Sequence, residues 1–581
     1  MKGEARCVVV RKIRQWIGVI PLLALSLDLA GCGSPSTTTA KASSSIVKGT
    51  IVVALSPQVS PNWYFPELSL TADSGVNVQI DSLLYKPLIY ISSRTDQFEP
   101  SRSIASQVTW NPQGTQYTIK LNPKWHWSNG TPVTAQDVVF SWDIIKAASS
   151  GASNLPWGFA GMGSGGVPTI WKSVVAKNAD TVVVTLTKPR NQEWFLHNGL
   201  AQITPVPKSV WDKYPDNMIQ ELAYIKSVAN TPTAAPFKVV DGPFEFKSYA
   251  PNQDWVFVPN PHYDGHKPLY SKLIYQYESS SSAEFTGLKT GTIDVGYLPQ
   301  SLFNVRSQLT HDVFSAYYTP SFNYILPNLS PKAPNGIGLA FQELPVRQAL
   351  QYGVDQAAMI KTFYHGYAVP SYGPVVAKPP TKFFDPALAK NPYPFNPERG
   401  KQLLEKNGWH LVNGVMHKGS LSLQFVLDYV SGSSTAESIV ELLQQDWAKE
   451  GIKVTLVPQP FDTIIAYSPA DASQWAMEFW GGGWGYGGSY PTGGVLFATN
   501  AAENSGSYNS PTMDRLIEAT YEPGTPQQIL QRLYQYEMYA ALNLPGVYIP
   551  DAARFREHAV NVHNTLKYRS SPQYWYMTKS S

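Results

Sequence analysis

The sequence is poor in the residues on which several chemistries depend. Only two of its 581 residues are cysteine, Cys7 and Cys32, so the body of the chain holds no disulfide framework and no thiolate metal cluster. Charge is sparse too, at 15% of residues, and the formal +3 is local. Lys2, Arg6, Arg11, Lys12 and Arg14 outnumber Glu4 and Asp28 within the first 31 residues; beyond them acids and bases balance. No basic field is left to hold nucleic acid. The sequence has no G-K-[ST], no G-x-S-x-G and no H-E-x-x-H, which removes the usual marks of a phosphate loop, a serine-hydrolase elbow and a zinc protease. It also lacks a short repeat, which argues against a solenoid or propeller.

Aromatic residues, in contrast, are abundant: 17 Trp and 33 Tyr exceed what a core usually needs, and amphipathic rings make good ligand-contacting surfaces. The length calls for several compact units or one multi-lobed body. At the N-terminus a basic stretch precedes an apolar run, Trp16 to Leu27, and small residues around Cys32. This layout predicts a signal peptide over 1–31, the run being short for a membrane span. Leu29-Ala30-Gly31-Cys32 resembles the bacterial lipobox, which makes Cys32 the lipidation site and the Ser/Thr/Ala-rich stretch 32–48 a flexible tether. The expected location is extracytoplasmic: lipid-anchored to the outer face of the cytoplasmic membrane, or periplasmic.

Periodicity predicts α/β lobes. GTIVVALSP reads as a buried strand and TQYTIKL as an alternating one. TAQDVVFSWDIIKAA reads as a helix that starts after Pro132, with Thr134 and Asp137 in a capping box and Val138, Trp142 and Ile145 on one face. Farther on, Ile439, Leu443 and Trp447 form a helical stripe, Gly451 closes the helix, and Ile452, Val454 and Leu456 alternate as a strand.

A run of blocks in fixed order carries a resemblance. Tyr85-Lys86-Pro87-Leu88, Ala105 before Trp110, Gly114, and Asn129-Gly130-Thr131-Pro132 followed by Ala135 and Asp137–Ser141 come first. Then come Gly242-Pro243-Phe244 with Asn260, Tyr263, Gly265 and Pro268; LKTGTIDV; Val346-Arg347 with Ala349, Leu350 and Asp355; YPFNPERGKQLLEKNGW; and EGIKVTLVP. Together they resemble the family 5 solute-binding proteins of ABC importers for oligopeptides, dipeptides and nickel. The resemblance implies an α/β, periplasmic-binding-protein type II-like fold of two hinged lobes with an extra inserted domain. Lobe I is expected from 46–85, 200–311 and 535–581, the inserted domain from 86–199, and lobe II from 312–534. It implies a binding protein rather than an enzyme, without cofactor or metal. The expected partners are a peptide or other small ligand, an ABC permease and its ATPase subunits, and the membrane through the lipid; the chain is expected to be a monomer.

The ligand-binding candidates follow. In FWGGGWGYGGSYPTGG, the rings of Trp480, Trp484, Tyr486 and Tyr490, with Ser489, are set among glycines that let backbone approach a ligand. This is a ligand wall by the family's layout. Peptide-binding members place an Asp shortly after this Trp to meet the peptide's amine, and here Gly487, Gly488, Ser489 and Tyr490 stand instead. Either another acid serves, or the ligand is neutral, as an oligosaccharide would be. A second cluster, SPNWYFP, offers Asn62, Trp63, Tyr64 and Phe65 at a loop that faces the cleft in the family, or else as a core plug. His262 and His266 are separated by Gly265 and flanked by Pro261 and Pro268, which breaks any helical metal pair. A secreted hydrolase remains the rival class, although none of the 42 acids is singled out as a catalytic pair. A sensor lipoprotein of the same fold is a third.

Overall fold

The computed structural model describes residues 49–92, 95–486, 488–565 and 574–580. The expected signal peptide, Cys32, the tether and Gly487 lie outside them. The β-branched run Thr50–Ala54 buries Ile51 and Val53 and pairs in parallel with Lys272–Gln276 on one side and Val295–Gly296 on the other. Parallel neighbours need long crossovers, and the chain between 54 and 272 supplies one that holds the inserted domain. Antiparallel strands complete a first sheet of seven among the described residues. Its order is Asp312–Tyr317, Arg554–Ala559, Val295–Gly296, Thr50–Ala54, Lys272–Gln276, Asp254–Pro259 and Phe244–Ala250.

The second sheet runs Lys453–Gln459, Gln424–Val430, Met477–Phe479, Ser321–Pro327 and Gly483–Gly485, with Val547–Ile549 paired to Ser321–Pro327. Its first two strands are parallel and are joined by the helix Ser434–Lys449. The stripe of Ile439, Leu443 and Trp447 on this helix is buried. The helix stops as its sequence predicts: Gly451, one place beyond the C-cap Glu450, takes φ +80°, a left-handed conformation that a side chain disfavours.

The inserted region forms an antiparallel sheet, Ala105–Trp110, Gln116–Leu121, Thr181–Leu186 and Trp171–Asn178. The helix Ala135–Ala148 covers it. The Thr134 N–H donates to Asp137 Oδ2 at 2.8 Å, closing the cap, and Val138, Trp142 and Ile145 are buried. Trp142 stacks on Trp171 with centroids 4.2 Å apart, which fixes the helix against the sheet edge.

Sheet membership corrects the expected lobe boundaries at two places. Asp312–Tyr317, expected in lobe II, pairs along its whole length with Arg554–Ala559 in the first sheet. Val547–Ile549, expected in lobe I, pairs with Ser321–Pro327 in the second. The chain therefore passes between the sheets at Tyr318–Pro320 and again at Pro550–Ala553, and Asp551 and Ala552 of the second crossing pair with Ala368–Val369.

Candidate functional site

Between the two sheets lies a cleft of about 760 Å³. Ala54, Val430 and Phe479, which line it, are the carboxyl ends of three strands that each run parallel to a neighbour. Ligands in α/β sheets bind outside such ends. Both crossings contribute to the lining through Tyr318, Thr319 and Pro320 and through Asp551, Ala552 and Ala553.

The glycine-rich stretch forms one wall. Leu326 pairs with Glu478 and Phe322 with Trp484, so the segment carries two more residues than the strand it lies on, and Trp480–Gly482 is pushed out as a bulge. Glycine is required here for two different reasons. Gly481 has φ +77°, and a Cβ on Gly483 would stand 2.5 Å from the Phe322 carbonyl oxygen. The bulge places Trp480 edge-on to Tyr324, centroids 5.0 Å apart. Trp480 and Trp484 both line the cleft.

Trp484 has the acid partner that the stretch after it lacks. Its Nε1–H donates to Glu503 Oε2 at 2.8 Å, and Glu503 neighbours Asp73, which lines the same two spaces. Asp73 opens into the cleft between the short helix Leu70–Ala72 and the helix Gly75–Leu84. Asp73 is exposed and Glu503 half-buried; burial raises Glu503 well above the usual carboxylate range, and the neighbouring Asp73 raises it further while the Trp484 donor opposes the shift. Sequence reasoning missed both acids. Glu503 follows Trp484 by 19 residues, well past the few places where the family sets its Asp, and Asp73 comes from the other lobe.

Three more carboxyls line the cleft: Glu284, Glu478 and Asp551. Burial pushes Glu284 up to about 8, although the Tyr297 N–H donates to its Oε1 at 2.6 Å. Burial likewise raises Glu478, which faces Asp428, and Asp551, which accepts the Asn323 N–H at 2.8 Å. Among the described lining residues the one basic side chain is Arg554.

Tyr486, Ser489 and Tyr490 line a neighbouring cavity of about 240 Å³, with Asp73, Trp484, Gly485 and Glu503 lining both spaces. Tyr490 also docks the wall onto the inserted domain. Its N–H donates to Asn198 Oδ1 at 2.9 Å, Asn198 Nδ2 donates to its carbonyl at 3.1 Å, and its hydroxyl bonds Glu193. His197 Nδ1 lies 2.6 Å from the Gly488 carbonyl oxygen.

SPNWYFP is a core plug, correcting its place among the ligand contacts. Phe65 packs edge-on to Trp211 at 4.8 Å and Trp63 to Trp157 at 5.3 Å, Tyr64 accepts the Trp255 Nε1–H at 2.6 Å, and all three are buried. Asn62 exchanges hydrogen bonds with Asn77. None of Asn62, Trp63, Tyr64 and Phe65 is among the residues lining either cavity, and only Pro66, at the end of the stretch, reaches the smaller one. His266 stacks on Tyr576 at 4.2 Å. Among the described residues no group of three or more His, Cys, Asp or Glu is arranged to hold a metal ion.

The chain is a member of the bacterial extracellular solute-binding proteins, family 5, whose model, covering the middle region, matches residues 99–506. Its fold is that of the type II periplasmic binding proteins: it superposes on the oligopeptide-binding protein AppA of Bacillus subtilis, solved with a nonapeptide. The TM-score is 0.78 at 18% identity, covering 92% of this chain and 99% of that one. The dipeptide-binding protein of Lactococcus lactis subsp. cremoris is 25% identical over 526 residues, 87% of each chain. A Brucella ovis protein named for ABC-transporter peptide binding is 25% identical over 382 residues. That match covers 65% of this chain and 63% of the Brucella protein, less than two thirds of its length.

Proposed function

We propose that the protein is the substrate-binding component of an ABC importer, capturing peptides or similar oligomeric solutes outside the cytoplasmic membrane and delivering them to a permease. The observation that carries the reading is the cleft wall, where Trp480 and Trp484 stand beside the neighbouring carboxyls Glu503 and Asp73. Rings supply flat apolar surface, and the carboxyls supply a counter-charge for an amine that the glycine stretch itself does not carry. Ligand binds the open lobes, closure buries it, and the closed form docks on the permease. ATP hydrolysis belongs to separate subunits, and the protein itself performs no covalent step. Residues 1–31 act as the signal peptide, Cys32 takes the lipid, and the stretch 32–48 tethers a monomer to the outer face of the membrane. An oligosaccharide ligand is disfavoured, since a neutral sugar leaves the cleft carboxyls without a counter-charge.

Native mass spectrometry of the purified mature protein, followed by calorimetric titration with peptides and oligosaccharides, tests the reading. A co-purified peptide, or micromolar peptide binding weakened by Trp484→Ala, is the expected result. Oligosaccharide binding without peptide affinity overturns it.

A further inference from the structure

We propose that this cleft selects cationic ligands: one ammonium or guanidinium group sits against Asp73 and Glu503 beside Trp484, and a second positive charge is met by Glu478. The proposal deepens the function above and rests on the ligand occupying this cleft.

The cleft is acidic in a chain that is not. Acids and bases balance outside the first 31 residues, yet the described lining holds Asp73, Glu284, Glu478, Glu503 and Asp551 against Arg554. Two further cations stand behind the lining, and both have partners. Arg556 donates to the Tyr317 hydroxyl at 2.9 Å, and Lys378 lies 5.4 Å from the Tyr318 ring centroid. Burial holds protons on Glu284, Glu478 and Asp551, so these acids charge when a cation arrives to stabilise them.

Asp73 and Glu503 come from different lobes and line the same two spaces, and two carboxyls brought together hold a proton between them, because both cannot ionise without a counter-charge. A cationic group between them takes the proton's place and lets both acids ionise. Glu478 points to a positive charge independently of that pair. It is only 2% exposed, it lines the cleft, and its Oε2 has no hydrogen-bond partner among the described residues. Its acidic neighbour Asp428 is already engaged by the Tyr467 hydroxyl at 3.3 Å and by Gln459 Nε2 at 3.4 Å. An unpartnered buried carboxyl is costly, and a ligand donor relieves the cost.

The test is calorimetric titration of the mature protein with length-matched peptides: all alanine, one lysine, two lysines, or two glutamates, with spermidine as a cation that is not a peptide. The two-lysine peptide is expected to bind at least tenfold more tightly than the alanine peptide. Its binding should release protons, read as a heat that changes with the ionisation enthalpy of the buffer. In Glu503→Gln and Glu478→Gln, and in Asp73→Asn should either glutamine variant fail to fold, the lysine-to-alanine affinity ratio is expected to fall toward one. Equal affinity across the peptide series overturns the charge selection and leaves peptide capture standing. Spermidine binding without peptide binding keeps the charge selection and overturns peptide capture. A folded protein that binds none of the probes overturns both.

Discussion

Trp484 offers two separable contributions, and two substitutions divide them. Trp484→Phe deletes the donor to Glu503 and keeps a ring, whereas Trp484→Ala deletes both. The bond is close to a neutral one, about 0.5–1.5 kcal/mol, in the free protein and becomes one to a carboxylate, about 1.5–3 kcal/mol, once a cationic ligand takes the proton's place, so about 0.5–1.5 kcal/mol of binding depends on it. At about 1.4 kcal/mol per factor of ten, ligand affinity should fall roughly threefold to tenfold. The alanine variant also loses a half-buried ring face of about 100 Å², worth about 2–3 kcal/mol at ~25 cal/mol per Å². The combined loss is then on the order of a hundredfold or more. Titration calorimetry with the tightest-binding peptide, with melting curves as a folding control, reads both numbers. Equal losses in the two variants would mean that the indole N–H contributes nothing, and unchanged affinity in the alanine variant would refute the ligand wall itself.

Asn198→Ala leaves the backbone N–H of Tyr490 without a partner and its C=O with the Thr492 N–H alone, at about 2–4 kcal/mol for the orphaned donor and the second lost bond. Hydrogen exchange across 486–494 should lose protection roughly thirtyfold or more, and unchanged protection would count against this docking. Phe65→Ala should lower the unfolding free energy by about 3–5 kcal/mol while ligand affinity stays within about twofold; a large affinity loss in the folded variant would restore SPNWYFP to the site. Glu284 has a folded pKa of about 8, above its ordinary value of 4.5. The folded state thus holds the proton more tightly, and the stability this carboxyl contributes in acid is lost as pH rises from about 4.5 to 8. Glu284→Gln keeps the acceptor for the Tyr297 N–H and should flatten that decline by up to about 3–5 kcal/mol, measured as urea midpoints on either side of the window, near pH ~5 and pH ~8. An unchanged pH slope would show that Glu284 is ionised throughout. Gly483→Ala places a methyl against the Phe322 carbonyl and should cost about 1–3 kcal/mol, read by thermal melting; an unaltered melting curve would mean that the wall moves away freely.

What was legible in the sequence was local. The Thr134–Asp137 cap, the Ile439–Leu443–Trp447 stripe and Gly451 each depend on residues a few places apart, and each stands where its spacing put it. Trp480 and Trp484 were legible because large rings among glycines suit neither a linker nor a phosphate loop, and both line the cleft. SPNWYFP was ambiguous for a physical reason: a ring after a strand serves a core as well as a ligand, and Trp157, Trp211 and Trp255, which decide the matter, are distant in the chain. The Asp73–Glu503 pair was illegible because its members are far apart in the chain and only the fold brings them to the same lining. The strand Asp312–Tyr317 was misassigned because a lobe boundary is set by pairing, which a single strand's composition does not reveal.

In the lobe closure proposed above, the two crossings at Tyr318–Pro320 and Pro550–Ala553, which line the floor of the cleft, serve as its fulcrum. A lever travels least at its pivot, so residues such as Thr319 and Ala552 keep nearly the same spacing whether the lobes stand apart or together, while Asp73 and Glu503 sweep through the longer arc. Floor contacts are therefore available to an arriving ligand from the first encounter and govern how fast it is caught. Contacts farther out form last, and must break first, so they govern how long it is held.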